Sequence, residues 1–158
     1  MAVKPVPEGY HSVTAALIVH DGVRALDFYK KAFGAQELMR MPMGDKIGHA
    51  EFQIGDTRLM LSDEWPDMGL KSPKSRGGTT VSLMIYVPDV DAAFKRAVDA
   101  GGTVERPVEN QFYGDRSGTL IDPFGHRWTL STHVEDVSPE EMNRRMEQWT
   151  KAQAGATK

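Results

Sequence analysis

The 158-residue chain contains no cysteine, which excludes a disulfide framework, a thiolate nucleophile and a cysteine zinc site together. No run approaches the ~18 consecutive apolar residues of a membrane span. The N-terminal stretch MAVKPVPEGYHSV lacks the apolar core of a signal peptide. Neither sign of charge dominates: 19 Lys and Arg stand against 22 Asp and Glu, for a net −3. Nothing electrostatic therefore favours nucleic acid or an anionic membrane as partner. Aromatic residues are sparse at 8%, while 40% hydrophobic and 26% charged residues is the balance of an ordinary globular domain. These absences lead to the expectation of a cytoplasmic protein that binds neither nucleic acid nor membrane.

What the sequence does contain is a repeat. At an offset of 68 residues Val13 falls on Val81, Val19 on Val87, Asp21 on Asp89 and Ala25 on Ala93, and then Ala32 on Ala100, Gly34 on Gly102 and Glu37 on Glu105. In each copy an apolar run (13–19, 81–87) reads as a buried strand. An aspartate follows, suited to cap the next helix by accepting from its free N–H groups. The first helix carries Ala25, Leu26, Tyr29, Ala32 and Phe33 on one face, and the second Ala93, Phe94, Ala97 and Val98. Glycines close each, Gly34 in one copy and Gly101-Gly102 in the other.

The residues after each helix read as β. Segments 49–54 and 57–62 flank Gly55-Asp56, a two-residue hairpin turn. Segments 117–121 and 127–131 flank Asp122-Pro123-Phe124-Gly125, with proline and glycine where a tight turn wants them. Each copy is thus β-α-β-β-β. The first module spans 11–63 and the second 80–133, within one domain of 1–158. The connection, 64–79, is rich in Pro, Gly and Ser; it is either a tether or a mobile flap over a pocket. Beyond the repeat, 138–153 reads as a helix with Ser138 as cap, Pro139 at its first position and Glu141 completing a capping box. Met142, Met146 and Trp149 form its apolar stripe, suited to docking on the body or on a dimer partner. Residues after Gln153 read as frayed.

A tandem β-α-β-β-β repeat resembles the vicinal-oxygen-chelate (glyoxalase/bleomycin-resistance/dioxygenase) superfamily. The stretches LMLSDEWP at 59–66, YVPDVDAAFKRAVDAGG at 86–102 and YGDRSGTLIDPFGHRWTLSTHVEDVSPEEM at 113–142 resemble its PhnB-like subgroup. The resemblance implies an α+β fold in which tandem βαβββ modules form a cup-shaped curled sheet with helices outside, in a homodimer. It leaves the activity open, because members include metal-dependent lyases, isomerases and dioxygenases as well as proteins that sequester antibiotics. In the metal-dependent members a ligand sits on the first and last strand of each module. Those positions fall here on Thr14, Met60, Ser82 and Thr129. Such side chains do not form a zinc or hard-ion site, which takes imidazole and carboxylate. The resemblance therefore implies no metal cofactor at the usual place.

Strand alternation then selects cup-lining residues. If Met60 faces the cup, so do Arg58 and Ser62. Across the Gly55-Asp56 turn, Ile54 pairs with Thr57, Gln53 with Arg58, Glu51 with Met60 and His49 with Ser62. Ala50, Phe52, Ile54, Leu59 and Leu61 form the opposite, helix-facing side, and Trp128 belongs to the same layer. Ser12, Thr14, Ala16, Thr80, Ser82 and Met84 face inward on the first strands. The His49-x-Glu51 pair reads in three ways: as displaced metal ligands joined by His11 or by a partner chain, as an acid–base pair with Glu51 held by Arg58, or as a diagonal Glu51–Arg58 pair on an exposed sheet face, of little consequence. Tyr113, Asp115 and Arg116 form a second cluster, which suits an anionic or planar ligand or simply closes the sheet edge. His126 and His133 read as residues that hold turns and the C-terminal segment, and Trp65 as a pocket rim or lid anchor.

The expectation is a protein that binds a small organic molecule through Thr14, Arg58, Met60, Ser82, Met84, Tyr113, Arg116 and Thr129. Lyase- or isomerase-type proton transfer would fall to Glu51 and His49. The alternatives are a non-enzymatic binder that sequesters an antibiotic or toxic aromatic compound, and a metalloenzyme with displaced ligands.

Overall fold

An aspartate-capped helix organises each half of the chain. Asp21 accepts from the Arg24 N–H at 3.1 Å and Asp89 from the Ala92 N–H at 3.0 Å, so each occupies the same place in its repeat. The computed structural model describes residues 3–156. Its first half runs β1 (Ala16–Val19), α1 (Gly22–Phe33), β2 (Gln36–Met43), β3 (Lys46–Ile54) and β4 (Thr57–Asp63). A connection with a short α2 (Pro73–Arg76) leads to β5 (Ser82–Tyr86), α3 (Val90–Asp99), β6 (Thr103–Asn110), β7 (Asp115–Ile121) and β8 (Arg127–His133). A long α4 (Pro139–Ala156) follows.

The strands form two four-stranded mixed sheets, ordered β1-β4-β3-β2 and β5-β8-β7-β6. The two are separate sheets, not a closed barrel. In each, the first strand pairs in parallel with the last, Ala16 facing Met60 in one and Met84 facing Thr129 in the other. The other pairs are antiparallel. The hairpin register predicted for β3 and β4 is present: Ile54 faces Thr57, Gln53 faces Arg58, and Glu51 faces Met60. The ladder ends at Ala50–Leu61, one step short of His49 and Ser62.

One side of each sheet is closed by the helices. Ala50, Phe52, Ile54, Leu59 and Leu61 are buried there, as are Leu120, Trp128 and Leu130 of the second sheet. The two halves share one aromatic core. The Tyr29 ring stacks on Phe52 at 5.3 Å and tilts against Trp128 at 5.5 Å. Buried Asp122 ties this core together: its Oδ2 accepts from the Tyr29 hydroxyl at 2.8 Å and from Trp128 Nε1 at 2.9 Å. Its Oδ1 accepts from the Phe124 and His126 N–H groups. Burial, reinforced by the Asp122 charge, raises the Tyr29 pKa well above 10, so the hydroxyl remains a donor.

Several sequence expectations are corrected. The apolar runs at 13–19 and 81–87 are not buried strands throughout; Val13 is 86% and Val81 61% exposed, because the strands begin only at Ala16 and Ser82. Helix α3 ends at Ala100 in the right-handed conformation, and Gly101 takes the positive φ one residue later. Ser138 does cap α4, accepting from the Glu141 N–H at 3.3 Å. Yet Glu141 does not close a capping box, because Arg144 and Arg145 engage its carboxylate at 2.6–2.7 Å. The helix also runs on to Ala156 rather than fraying after Gln153; 157 and 158 lie outside the described residues.

The connection is tied along its length. Glu64 accepts from the Ser72 N–H at 2.9 Å and from Ser75 Oγ at 2.7 Å, bonds that hold its carboxyl at about 2. Trp65 and Leu70 exchange backbone hydrogen bonds, and Lys46 Nζ lies 4.9 Å from the Trp65 ring centre. Trp65 thus anchors the connection to the first module.

Candidate functional site

Because the helices cover one side of each sheet, alternation leaves the other side open. Across the first sheet one row reads Ala16, Met60, Glu51, Met39. The equivalent row of the second reads Met84, Thr129, Thr119, Arg106. These open faces carry most of the polar side chains singled out from the sequence.

On the first face, His49 Nε2 lies 3.4 Å from Glu51 Oε1. Glu51 does not reach Arg58 within ion-pair distance; the Arg58 guanidinium lies instead 5.1 Å from the Tyr10 ring centre. The N-terminal segment therefore crosses this face, an arrangement for which residues 3–10 carry no periodic signal. The Tyr10 hydroxyl sits beside Glu51 without full hydrogen-bond geometry, and it and Arg58 Nε are buried without a partner. The Glu51 carboxyl is held below 4.5, chiefly by Tyr10, with burial opposing and His49 and Arg58 assisting. A carboxylate so stabilised is a weaker base than the desolvated one anticipated. His11 is exposed.

On the second face, Thr129 and Thr119 join hydroxyls at 3.0 Å. Beside them Asp115, 4% exposed, is a hub. Its Oδ2 accepts from the Tyr86 hydroxyl at 2.9 Å and from Ser131 Oγ at 3.0 Å. Its Oδ1 lies 2.8 Å from His133 Nδ1, and His133 Nε2 lies 2.9 Å from the exposed Asp136. Burial pushes the Asp115 carboxyl up, but the bonds from His133, Tyr86 and Ser131 outweigh it and leave it below 3.8. Asp136 and Asp115 raise His133 above 6.5. His133 is thus a sheet-face residue as well as a tie to the C-terminal segment. Parity would have found it, since Thr129, Ser131 and His133 alternate with Trp128 and Leu130.

Arg116 is corrected by the same parity. It lies on the helix side, donating to both carboxylate oxygens of Asp91 at 2.7 Å and to Asn110 Oδ1 at 3.1 Å. It is not brought to the open face with Tyr113 and Asp115. Ser82 begins β5, and its hydroxyl accepts from Arg127 Nη1 at 3.3 Å. Thr14 lies just upstream of β1, half-buried.

Two cavities flank β5 of the second sheet, one on the open face and one towards the helix side. A polar one of about 130 Å³ is lined by Arg106, Gln111, Tyr113, Ser117, Thr119 and Thr129, with Arg127 and Met84. A larger cleft of about 620 Å³ runs between β5 and the β3–β4 turn, lined by Phe33, Leu59, Leu83, Ile85 and Trp128 among others. Met84 lines both. An apolar cleft beside a few convergent polar groups is the usual form of a small-molecule site.

With this architecture in view, comparison with known proteins is decisive for family. A sequence model of the glyoxalase/bleomycin resistance protein/dioxygenase superfamily matches residues 11–130. The chain belongs to that superfamily. Among its relatives is Rv0887c of Mycobacterium tuberculosis, 47% identical over 134 residues, covering 82% of this chain and 79% of that protein. The solved structure of TioX from Micromonospora sp. ML1 superposes with a TM-score of 0.62 at 25% identity, over 81% of this chain and all of that one. The Arabidopsis thaliana At5g48480 product gives 0.62 at 26% identity, over 77% of this chain and 98% of that one.

Metal-dependent superfamily members would place a divalent ion among the positions of Thr14, Met60, Ser82 and Thr129. These residues do not fit one. They offer three hydroxyls and a thioether where such an ion takes imidazole and carboxylate. The Thr129 and Ser82 hydroxyls are moreover engaged by Thr119 and Arg127. Among the described residues no three His, Asp or Glu side chains converge in a way that could hold a metal ion. No helix of the described residues is long and apolar enough to cross a membrane.

Proposed function

We propose that this superfamily member, of the PhnB-like type, binds a small organic molecule on the open faces of its sheets. It does so as a homodimer and without a divalent ion at the superfamily's usual positions. The observation that carries this reading is that Met84, on the edge strand β5, borders both the apolar cleft and the polar cavity, beside a face whose ligand-equivalent positions are Thr129 and Ser82. Met84, Tyr113 and Thr129 contact the ligand from the second sheet, and Thr14, Arg58 and Met60 contribute from the first; Arg116, paired with Asp91, does not. The test is a ligand screen by native mass spectrometry on chelator-treated protein. Stoichiometric binding that survives chelation is the expected result, and binding restored only by added metal would overturn it. Light scattering should give twice the chain mass; a monomer would contradict the dimer.

A second reading, catalysis of lyase or isomerase type by Glu51 and His49, draws on their 3.4 Å approach. It requires that a ligand displace Tyr10, freeing Glu51 from the group that most stabilises its charge. Glu51→Gln should then abolish turnover while leaving the melting temperature unchanged. Full turnover in that variant would remove Glu51 from the mechanism. Tight binding with no product would instead make the protein a sequestering binder of an antibiotic or toxic aromatic compound.

A further inference from the structure

Resting on that binding reading, we infer that the ligand is an anion, an organic carboxylate or phosphate whose charged group is held by Arg106 in the polar cavity of the second sheet. Arg106 has no hydrogen-bond or ion-pair partner among the described residues, in contrast to the paired Arg40, Arg116, Arg127, Arg144 and Arg145. An arginine left unpaired on a sheet face amid hydroxyls is a donor fork awaiting an acceptor. Register irregularities lie on both sides of it, between Val104 and Arg106 and between Arg106 and Glu109. Such bulges re-aim a side chain, and Arg106 is thereby placed opposite Thr119.

The neighbours suit an oxyanion. Arg127 supplies a second guanidinium, partly neutralised by Glu105 at 2.6 Å and bonded to Ser82 through Nη1, with Nη2 unengaged among the described residues. Gln111, Tyr113, Ser117 and Thr119 bring side-chain donors to the same cavity. The cavity lining holds two guanidiniums and no carboxylate; Glu105 pairs with Arg127, and the nearby Asp115 carboxylate is engaged by Tyr86, Ser131 and His133. Its 130 Å³ is room for about four waters at ~30 Å³ each, or for one carboxylate or phosphate group. The ligand's apolar part then extends past Met84, an adaptable side chain, into the larger cleft. The first sheet has nothing comparable: Met39 holds the place of Arg106, and Glu51 that of Thr119.

The test titrates the whole protein with a panel of aromatic carboxylates and aryl phosphates, each alongside its neutral amide or alcohol, and with inorganic phosphate alone. Binding is read by calorimetry and by NMR shifts at constant ionic strength. The acids should bind at least about tenfold tighter than their neutral partners, with shifts at Arg106, Thr119 and Thr129. That preference should vanish in Arg106→Gln and persist in part in Arg106→Lys; Arg106 is exposed, and an unchanged melting temperature verifies folding. Equal binding of acid and neutral partner at this face would overturn the anion inference while leaving the binding reading intact. Binding by none of the panel would overturn both. Anion shifts spread over Lys71, Lys74 and Arg76 and unchanged in Arg106→Gln would mean screening by surface charge, and would also overturn it.

Discussion

The two sheets share a backbone plan and differ in the face they leave open. On the helix side the repeats carry like for like: Leu17 and Ile85, Val19 and Val87, Leu61 and Leu130. On the open side Met39 faces Glu51 in one sheet and Arg106 faces Thr119 in the other. The first face bears a carboxylate covered by an N-terminal strap; the second bears an unpaired arginine and an aspartate-oriented imidazole with no such cover. Helix packing constrains the closed sides through shape and volume. No helix packs on the open sides, where the first face meets only the N-terminal strap, so their side chains are less bound by shape and volume. Membership of the superfamily therefore says little about chemistry until each face is read separately.

The comparison is most sharply tested at the two hairpin turns. Asp122 satisfies four donors in the shared core, whereas Asp56 of the first hairpin meets only the exposed Thr57 hydroxyl. Asp122→Ala should cost about 3–4 kcal/mol in urea unfolding, since it strands buried donors. Asp56→Ala should cost under about 0.5 kcal/mol, and similar losses at both turns would break the contrast. The next effect is at Gly118, the counterpart of Ala50. A Cβ there would lie 2.8 Å from both Phe94 and Val108, so Gly118→Ala should cost about 1–3 kcal/mol by overpacking.

A smaller effect concerns the connection. Glu64 titrates at about 2 against an ordinary 4.5, so the stability it contributes is full above pH 4.5 and lost as pH falls toward 2. Protection of the Ser72 amide from hydrogen exchange should fall across that window, and be low at every pH in Glu64→Gln. Protection indifferent to both would show that the connection is held elsewhere. The smallest effect is Tyr10→Phe. Stability should change by under about 0.5 kcal/mol, while NMR titration should find the Glu51 carboxyl moved up toward 4.5; an unmoved Glu51 would mean that the strap leaves the first face untouched.

Much of this frame was legible from local rules. The offset between Asp21 and Asp89 located both helix caps, and the Gly55-Asp56 turn set which residues face each other across β3 and β4. Trp128 was placed correctly because alternation on β8 is unbroken. The misreadings share a cause: they depend on which partner a long side chain selects in three dimensions. Arg116 adjoins Asp115 in sequence but pairs with Asp91 on α3. Arg58 passes over Glu51 for the Tyr10 ring, and Glu141 is engaged by two arginines rather than by its own helix cap. His133 was within reach of the parity argument. Arg106 was not, because register shifts in β6 break the count.

The central claim is that these faces bind their ligand without the divalent ion used by metal-dependent members of the superfamily. Elemental analysis of protein purified without chelator and without a nickel column tests it most directly. The account predicts far less than one equivalent of zinc, iron, nickel, cobalt, manganese or copper per chain. One tightly held divalent ion per chain would contradict it, and would return His49 and Glu51, or the Asp115–His133 pair, to consideration as ligands.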